Sequence, residues 1–342
     1  MKRRWLLWLL VIVFFGFVIS RLPEVEKLIA TLAHGQWQWI LAAAFLQLGR
    51  YVAFTAVFQS AFDLVGVKSR ISGLLPIMFA SVFVNLVAPI GGASGFALFV
   101  DDAARRGQSG ARASAGTILA LTSEYSSFGV VLIIGLVYLA VHHALAGYEL
   151  AGAALLALII GSLASALVLA RWSPERLHRL FAWMHRQINR LGGRFRRPSL
   201  LAEGWADKNA TEFTHAAHAM TAHPWGLART LAVALGMHAV NIASLYALFL
   251  AFSQPIGLGA LIAIFGVGML FWMVSITPQG IGMVEGAMVL VCTALGVPAA
   301  EATAITLAFR GLSLWLPVLV GFVLLRRLRT FQADIPPPTG TT

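Results

Sequence analysis

The sequence is short of charge. Only 11% of its 342 residues are Asp, Glu, Lys or Arg, against about a quarter in ordinary soluble domains, which argues against a water-soluble globule. A single cysteine, Cys292, excludes an internal disulfide and carries no information about redox compartment. Gly and Pro, at 32 and 13 residues, are too few for a disordered or collagen-like chain. No P-loop, G-x-S-x-G, H-E-x-x-H or paired-Asp metal motif occurs. The chain therefore lacks the signature of an ATP-driven pump, and the sequence assigns no catalytic residue, metal ligand or cofactor. His215, His218 and His223 are spaced H-x-x-H-x-x-x-x-H, but no cysteine joins them and Glu212 is the one nearby carboxylate, which falls short of a zinc set. Acidic residues number 14 against 25 Lys and Arg, a formal charge of +11.

What is present is hydrophobicity, at 59% of residues. Runs near the ~20 residues that cross a bilayer lie at Trp5–Ser20, Trp37–Phe62, Gly116–Val141, Leu150–Ala170, Trp225–Phe252 and Ala302–Leu325. The first follows Lys2, Arg3 and Arg4 like a signal sequence. Arg21-Leu22-Pro23-Glu24 stands where a small-residue cleavage site belongs, so it reads as an uncleaved span. Two further stretches, Ile71–Pro89 and Gly259–Pro278, end in Pro/Gly clusters and are followed by short apolar pieces, Ser94–Ala104 and Met283–Leu295. Each pair reads as a re-entrant hairpin, tolerated where it is buried in protein or lines a cavity; two full spans per pair is the alternative.

Basic residues give the sidedness. With the amino terminus in the cytoplasm, threading these spans puts every Lys and Arg inside except Arg21 and Lys27, outside, and Arg50 and Arg310, within spans. That bias is the positive-inside pattern. It predicts a multi-pass protein of the cell inner (plasma) membrane with both termini cytoplasmic. Because the basic residues sit at span ends, nucleic acid is not expected as a partner. The polar stretch Arg171–His223 interleaves Trp172, Leu177, Leu180, Phe181, Trp183, Met184 and Ile188 with basic residues. It suits an amphipathic helix on the anionic inner leaflet, or a solvated connector.

Self-comparison adds an internal repeat. An offset of 189 superposes Pro89 on Pro278, Gly91 on Gly280, Gly107 on Gly296, Ala113 on Ala302 and Ala115 on Ala304. The first hairpin is flanked by Lys68, Arg70, Arg105, Arg106 and Arg112. The second, between Ser253-Gln254-Pro255 and Val297-Pro298-Ala299, has no basic flank. Equivalent hairpins then open on opposite sides of the membrane, as in inverted-topology repeats whose interrupted helices meet near the midplane. The expected architecture is an all-α polytopic membrane protein of two inverted repeats, each with a re-entrant helical hairpin. It forms one domain over 1–330, with repeat one at about 37–141, repeat two at about 225–325, a cytoplasmic basic connector at 171–224 and a disordered tail at 331–342.

The breaks and the intramembrane charges supply the candidate binding residues. Gly91 and Gly92 precede one short helix and Gly280 and Gly282 the other; helix starts carry partial positive charge and favour an anion such as a lipid phosphate. Asn85 adds a polar contact. Small residues that only let helices pack closely are the alternative. Arg50, Glu124, Glu285 and Arg310 fall within apolar segments, where an unpaired charge costs about 2.5–3.5 kcal/mol. They form either a structural ion-pair set or a site in which arginines engage a headgroup phosphate and glutamates balance them, accept an amine or carry protons. Asp101-Asp102 and Arg105-Arg106 end the first short helix, either lining a cytoplasmic mouth or serving as interfacial charges.

The run Pro278-Gln279-Gly280-Ile281-Gly282-Met283-Val284-Glu285-Gly286, with Gly296-Val297, Ala302–Ala308, Arg310 and Pro317, resembles the carboxy-terminal signature of the lysylphosphatidylglycerol synthase transmembrane, or flippase-like, family. Asn85-Leu86-Val87-Ala88-Pro89-Ile90-Gly91-Gly92 resembles its first-half signature. The family includes the membrane portion of the multiple peptide resistance factor proteins, which translocate aminoacylated phosphatidylglycerol. The resemblance covers roughly residues 5–330. It implies a lipid-translocating fold with Pro278, Gly280, Gly282, Glu285 and Arg310 at the functional centre. Thr277-Pro278-Gln279 stands where the family motif has Pro-Gly-Gly. No aminoacyl-transferase domain is read after Arg329, so lysyl transfer is not implied. The expected partners are membrane lipids, whether an anionic or aminoacylated phospholipid or another amphiphilic lipid. Lipid-pathway enzymes are further candidates. An intramembrane lipid-modifying enzyme and an accessory subunit of a lipid or cell-envelope pathway stay open as alternatives.

Overall fold

The computed structural model describes residues 30–87, 93–142, 147–194, 204–275 and 280–325. The expected first span, Trp5–Ser20, and the tail 331–342 lie outside them. Among the described residues the chain is helical, in the order α1 (Trp37–Leu64), α2 (Ile71–Val87), α3 (Ala93–Arg105), α4 (Gly110–Val141), α5 (Gly147–Trp172), α6 (Pro174–Arg194), α7 (Trp205–Ala222), α8 (Pro224–Ala251), α9 (Leu258–Val274), α10 (Met283–Ala294) and α11 (Ala299–Leu325). Three of these, α1, α4 and α8, are long and apolar enough to cross a membrane. Every apolar run read from the sequence within these residues is a helix. α4 begins earlier than Gly116 because Ser109 caps it, its hydroxyl accepting from the Arg112 amide.

Helix lengths recur in order. α1 to α4 have 28, 17, 13 and 32 residues, and α8 to α11 have 28, 17, 12 and 27. At 1.5 Å per residue the third members of the two series rise only about 20 Å, short of the ~30 Å hydrocarbon core.

The connections recur too. The Val67 amide donates to Phe62 O at 2.9 Å, and 187 residues later Gln254 donates to Phe249 O at the same distance. Leu74 to Arg70 O is matched by Leu261 to Gly257 O. At an offset of 189, Gln108 to Ala103 O is matched by Val297 to Cys292 O, and Ala113 to Ser109 O by Ala302 to Pro298 O. The bonds closing α1, α3, α8 and α10 are left-handed C-terminal caps. Their positive-φ residues are Gly66, Gly107, Ser253 and Gly296. Ser253, at φ 55, is the one non-glycine with positive φ among the described residues, and it occupies the place of Gly66.

Packing follows the same order. α1 and α8 run antiparallel along their whole length: the Gln36 amide meets Ala251 O, Ser244 reaches Ala43 O, Gln47 reaches Asn241, and Ser60 reaches Thr230. α2 packs on α11, and α9 on α4. In the first contact a Cβ on Gly321 would stand 2.4 Å from Phe79 O; in the second, Gly266 faces Leu132. These are the same two positions by the offsets above, with the glycine on the opposite partner. One apolar core gathers residues of α1–α4, α7 and α8, and a second gathers residues of α8–α11 with α1 and α4. Phe58 stacks on Phe99 at 4.2 Å within the first.

The connector divides in two. α6 and α7 pack on each other. α7 buries Ala210, Phe213, Ala216 and Ala217 against the bundle, so one face of the connector is docked rather than solvated. α6 leaves Trp183 exposed.

Candidate functional site

Glu285 and Arg310 meet. Glu285 is the third residue of α10, and its Oε1 accepts from Arg310 Nε, halfway along α11, at 2.7 Å. Its Oε2 accepts from the Gly282 amide at 2.6 Å. Gly280 and Gly282 both take positive φ, +73° and +87°, which only glycine adopts readily. They turn the chain so that the amide ahead of α10 points back at Glu285. Glu285 thereby neutralises both the partial positive start of α10 and the guanidinium. The place the sequence offers to a foreign anion holds a resident one. With side-chain exposures of 11% for Arg310 and 22% for Glu285, the pair is largely withdrawn from its surroundings.

A groove of about 340 Å³ opens beside the pair, lined by Glu285, Val289, Leu290, Thr303, Thr306 and Leu307. Apart from the carboxylate and two hydroxyls its walls are aliphatic. Thr306 is fully buried and its Oγ1 has no hydrogen-bond partner among the described residues, a polar atom in an apolar wall.

The second centre is deeper. Arg50, Glu124 and His238 lie halfway along α1, α4 and α8, the three long spans. Glu124 is 4% exposed and His238 fully buried. His238 Nε2 donates to Glu124 O at 3.3 Å, because a carbonyl can only accept, and among the described residues Nδ1 has no partner. Arg50 is the cation whose charge acts on Glu124, although the two side chains close no direct salt bridge among the described residues. The Arg50 guanidinium lies 4.8 Å from the centre of the Tyr51 ring, a cation–π arrangement, and its Nε has no partner among the described residues. One turn away Gln47 Nε2 donates to Asn241 at 2.9 Å.

A hydrogen bond links the two centres. Pro317 in α11 has no N–H, so the carbonyl four residues earlier, on Ser313, loses its helical donor. Tyr51 Oη donates to that carbonyl at 3.1 Å. Ser313 Oγ in turn donates to Arg310 O.

Asn85 belongs to a separate arrangement. On α2, it accepts from the Gly95 amide in the first turn of α3 at 2.8 Å, across the first break. Pro89, Gly91, Gly92 and Pro278 lie outside the described residues. Asp101 and Asp102 pair with Arg105 and Arg106, each four residues further on at the end of α3, at 2.8 and 2.5 Å. Glu212 on α7 accepts from Ser109 and His178 on α6 contacts Asp207 on α7; these polar contacts hold the connector.

Sequence reasoning missed Tyr51, Gln47, His238, Asn241 and Thr306. A helical reading of polar residues inside the spans would have found most of them: Gln47, Arg50 and Tyr51 share one face of α1, and His238 and Asn241 share one face of α8.

The sequence model of the lysylphosphatidylglycerol synthase TM region matches residues 5–321. Over 99 residues the chain is 28% identical to a UPF0104 membrane protein of Methanocaldococcus jannaschii, covering 29% of this chain and 30% of that relative. The chain thus aligns with less than a third of the curated relative it matches. The match over nearly all the helical bundle, with three helices able to span a bilayer, makes this a membrane protein that belongs to the lysylphosphatidylglycerol synthase transmembrane-region family.

Proposed function

We propose that this protein is a lipid translocase of the cell inner membrane, moving a phospholipid or lipid-linked headgroup between leaflets. The observation that carries the reading is the Glu285–Arg310 pair, which sits where a helix is broken at membrane depth, beside an aliphatic groove. An acyl chain fits the walls of Val289, Leu290 and Leu307. A headgroup phosphate suits Arg310 and the amides at the start of α10, and it competes there with the Glu285 carboxylate. An aminoacylated headgroup would bring its own cation to Glu285.

In this reading the two four-helix series are inverted repeats, and α2/α3 and α9/α10 are re-entrant hairpins entering from opposite faces. The matched connections, the antiparallel α1/α8 contact and the short third helices support it. So does the contrast between a first hairpin flanked by Lys68, Arg70 and Arg112 and a second with no basic flank. Both termini are then cytoplasmic. Two mirrored halves around one centre can open alternately to each leaflet.

The test uses purified protein in vesicles carrying a fluorescent phosphatidylglycerol in one leaflet. Exchange is expected to exceed that of empty vesicles, and Glu285→Gln and Arg310→Ala are expected to slow it about tenfold or more. Folded protein that exchanges no anionic, zwitterionic or aminoacylated lipid faster than empty vesicles overturns the reading.

A further inference from the structure

The deeper centre contains more titratable machinery than binding a phosphate needs. Glu124 is 4% exposed, and its carboxylate neither accepts a hydrogen bond nor closes a salt bridge among the described residues. Hydrogen-bonded partners normally accompany a buried carboxylate. Among the described residues the compensating charge is that of Arg50. His238 donates through Nε2, which fixes the tautomer and leaves Nδ1 as an acceptor with no hydrogen-bond partner among the described residues. A cation, a buried carboxylate and a proton-accepting nitrogen therefore lie halfway along three long apolar helices that pack on one another, and Tyr51 ties that cation's helix to the helix of Arg310.

Few other charges reach this centre. Tyr125 adjoins Glu124 on α4. α9, packed against α4, contributes no titratable side chain. α5 carries Tyr148 and Glu149 in its first turn and Arg171 near its end. α3 and α7 bring theirs, including Asp101, Asp102 and Glu212, toward the start of α4, where Ser109 meets Glu212. On α11, which packs on α8, the groups are Glu301 and Arg310, the latter paired with Glu285.

Electrostatics then constrains what can happen at Arg50. In a medium of low dielectric one guanidinium balances one anion. When a lipid phosphate approaches Arg50, the phosphate and the Glu124 carboxylate compete for the same positive charge, and like charges in one site drive protonation of the weaker acid. From this we propose that Arg50, Glu124 and His238 form a proton-carrying centre that couples passage of an anionic headgroup to uptake of one proton per lipid. The phosphodiester brings one negative charge; one proton converts the Glu124 carboxylate to the neutral acid; the net charge of the centre is unchanged. His238 Nδ1 is the relay that receives the proton and passes it to Glu124. Release of the lipid returns Glu124 to Arg50 and frees the proton on the opposite side.

This proposal rests on the lipid-translocation reading, and one experiment separates the two. Vesicles hold the full-length protein, fluorescent phosphatidylglycerol and an internal pH dye, so that lipid exchange and proton movement are read together. Wild-type exchange is expected to accelerate several-fold when a pH gradient runs in the direction of lipid movement. It is expected to lose that response with a protonophore, and to move about one proton per lipid. Glu124→Gln, a carboxamide that cannot gain or lose the proton, is expected to move at least about tenfold fewer protons and to ignore the gradient whatever its exchange rate. His238→Gln is expected to weaken the gradient response. Wild-type exchange with no gradient response and no proton movement overturns the coupling and leaves translocation standing. Absence of exchange in folded wild-type protein overturns both. Should Glu124→Gln not fold, the wild-type measurement decides alone, and gradient-driven proton movement by a folded Glu124→Gln also overturns the coupling.

Discussion

The two breaks in the bundle solve the same problem with opposite chemistry. Each short helix, α3 and α10, begins with backbone amides that no helical carbonyl satisfies. At the first break a neutral side chain reaches over from the preceding helix, Asn85 accepting from Gly95. This works because position 95 has no side chain: a Cβ there would stand 2.4 Å from Asn85 Nδ2 and 2.5 Å from Ser81 O. At the second break the third residue of the short helix is not glycine but Glu285, which turns back on Gly282 and outward to Arg310. The first break is closed by shape. The second is closed by charge, and charge can be displaced by a competing ion while shape cannot. In the translocation reading proposed above, headgroup exchange at a break belongs to the second, and the first is its fixed counterpart.

The sharpest way to break this comparison is to remove one charge. Arg310→Leu leaves Glu285 without its counter-charge and is expected to cost about 3 kcal/mol of stability, as for other largely buried pairs. The double variant Glu285→Leu, Arg310→Leu should recover much of that loss. Thermal unfolding in detergent measures both, and a double variant worse than the single one would mean that the pair is not self-contained. Next comes shape. Gly95→Ala is expected to lose about 2 kcal/mol through overpacking, whereas Gly286→Ala, with nothing within 4 Å of the added Cβ, should stay within about 0.5 kcal/mol. Equal effects at the two positions would erase the contrast. Asn85→Ala removes a cap and is expected to cost about 1 kcal/mol, with lipid exchange less affected than by Arg310→Leu. The smallest effect concerns the link between centres. Tyr51→Phe should cost about 1 kcal/mol, and less in a Pro317→Ala background, where the residue-317 amide can take the Ser313 carbonyl instead. An equal cost in both backgrounds would show that Pro317 does not create that acceptor.

Much of the fold was legible from local pattern. The helix at Met283–Ala294, its Pro/Gly approach and its short length follow from an apolar run too brief to cross a bilayer, and those properties belong to consecutive residues. The matched glycines Gly107 and Gly296 mark helix ends for the same reason, since each needs positive φ. The counterpart of Gly66 was invisible, because Ser253 adopts a glycine conformation that its identity does not advertise. Among the intramembrane charges, the sequence identified Arg50, Glu124, Glu285 and Arg310 as too costly to be accidental, but it left every pairing among them open.

Hydrophobic length and punctuation were therefore available from one dimension, because a bilayer imposes its thickness on consecutive residues. Partnership was not. Glu285 and Arg310 are separated by 25 residues, Tyr51 and Ser313 by 262, and Glu124 and His238 by 114. Which of these meet depends on the packing of α10 on α11, of α1 on α11 and of α4 on α8, where close-packed side chains set the register. Packing within the second series put Arg310 beside the Glu285 carboxylate, and packing of α4 on α8 brought His238 to the main-chain oxygen of Glu124.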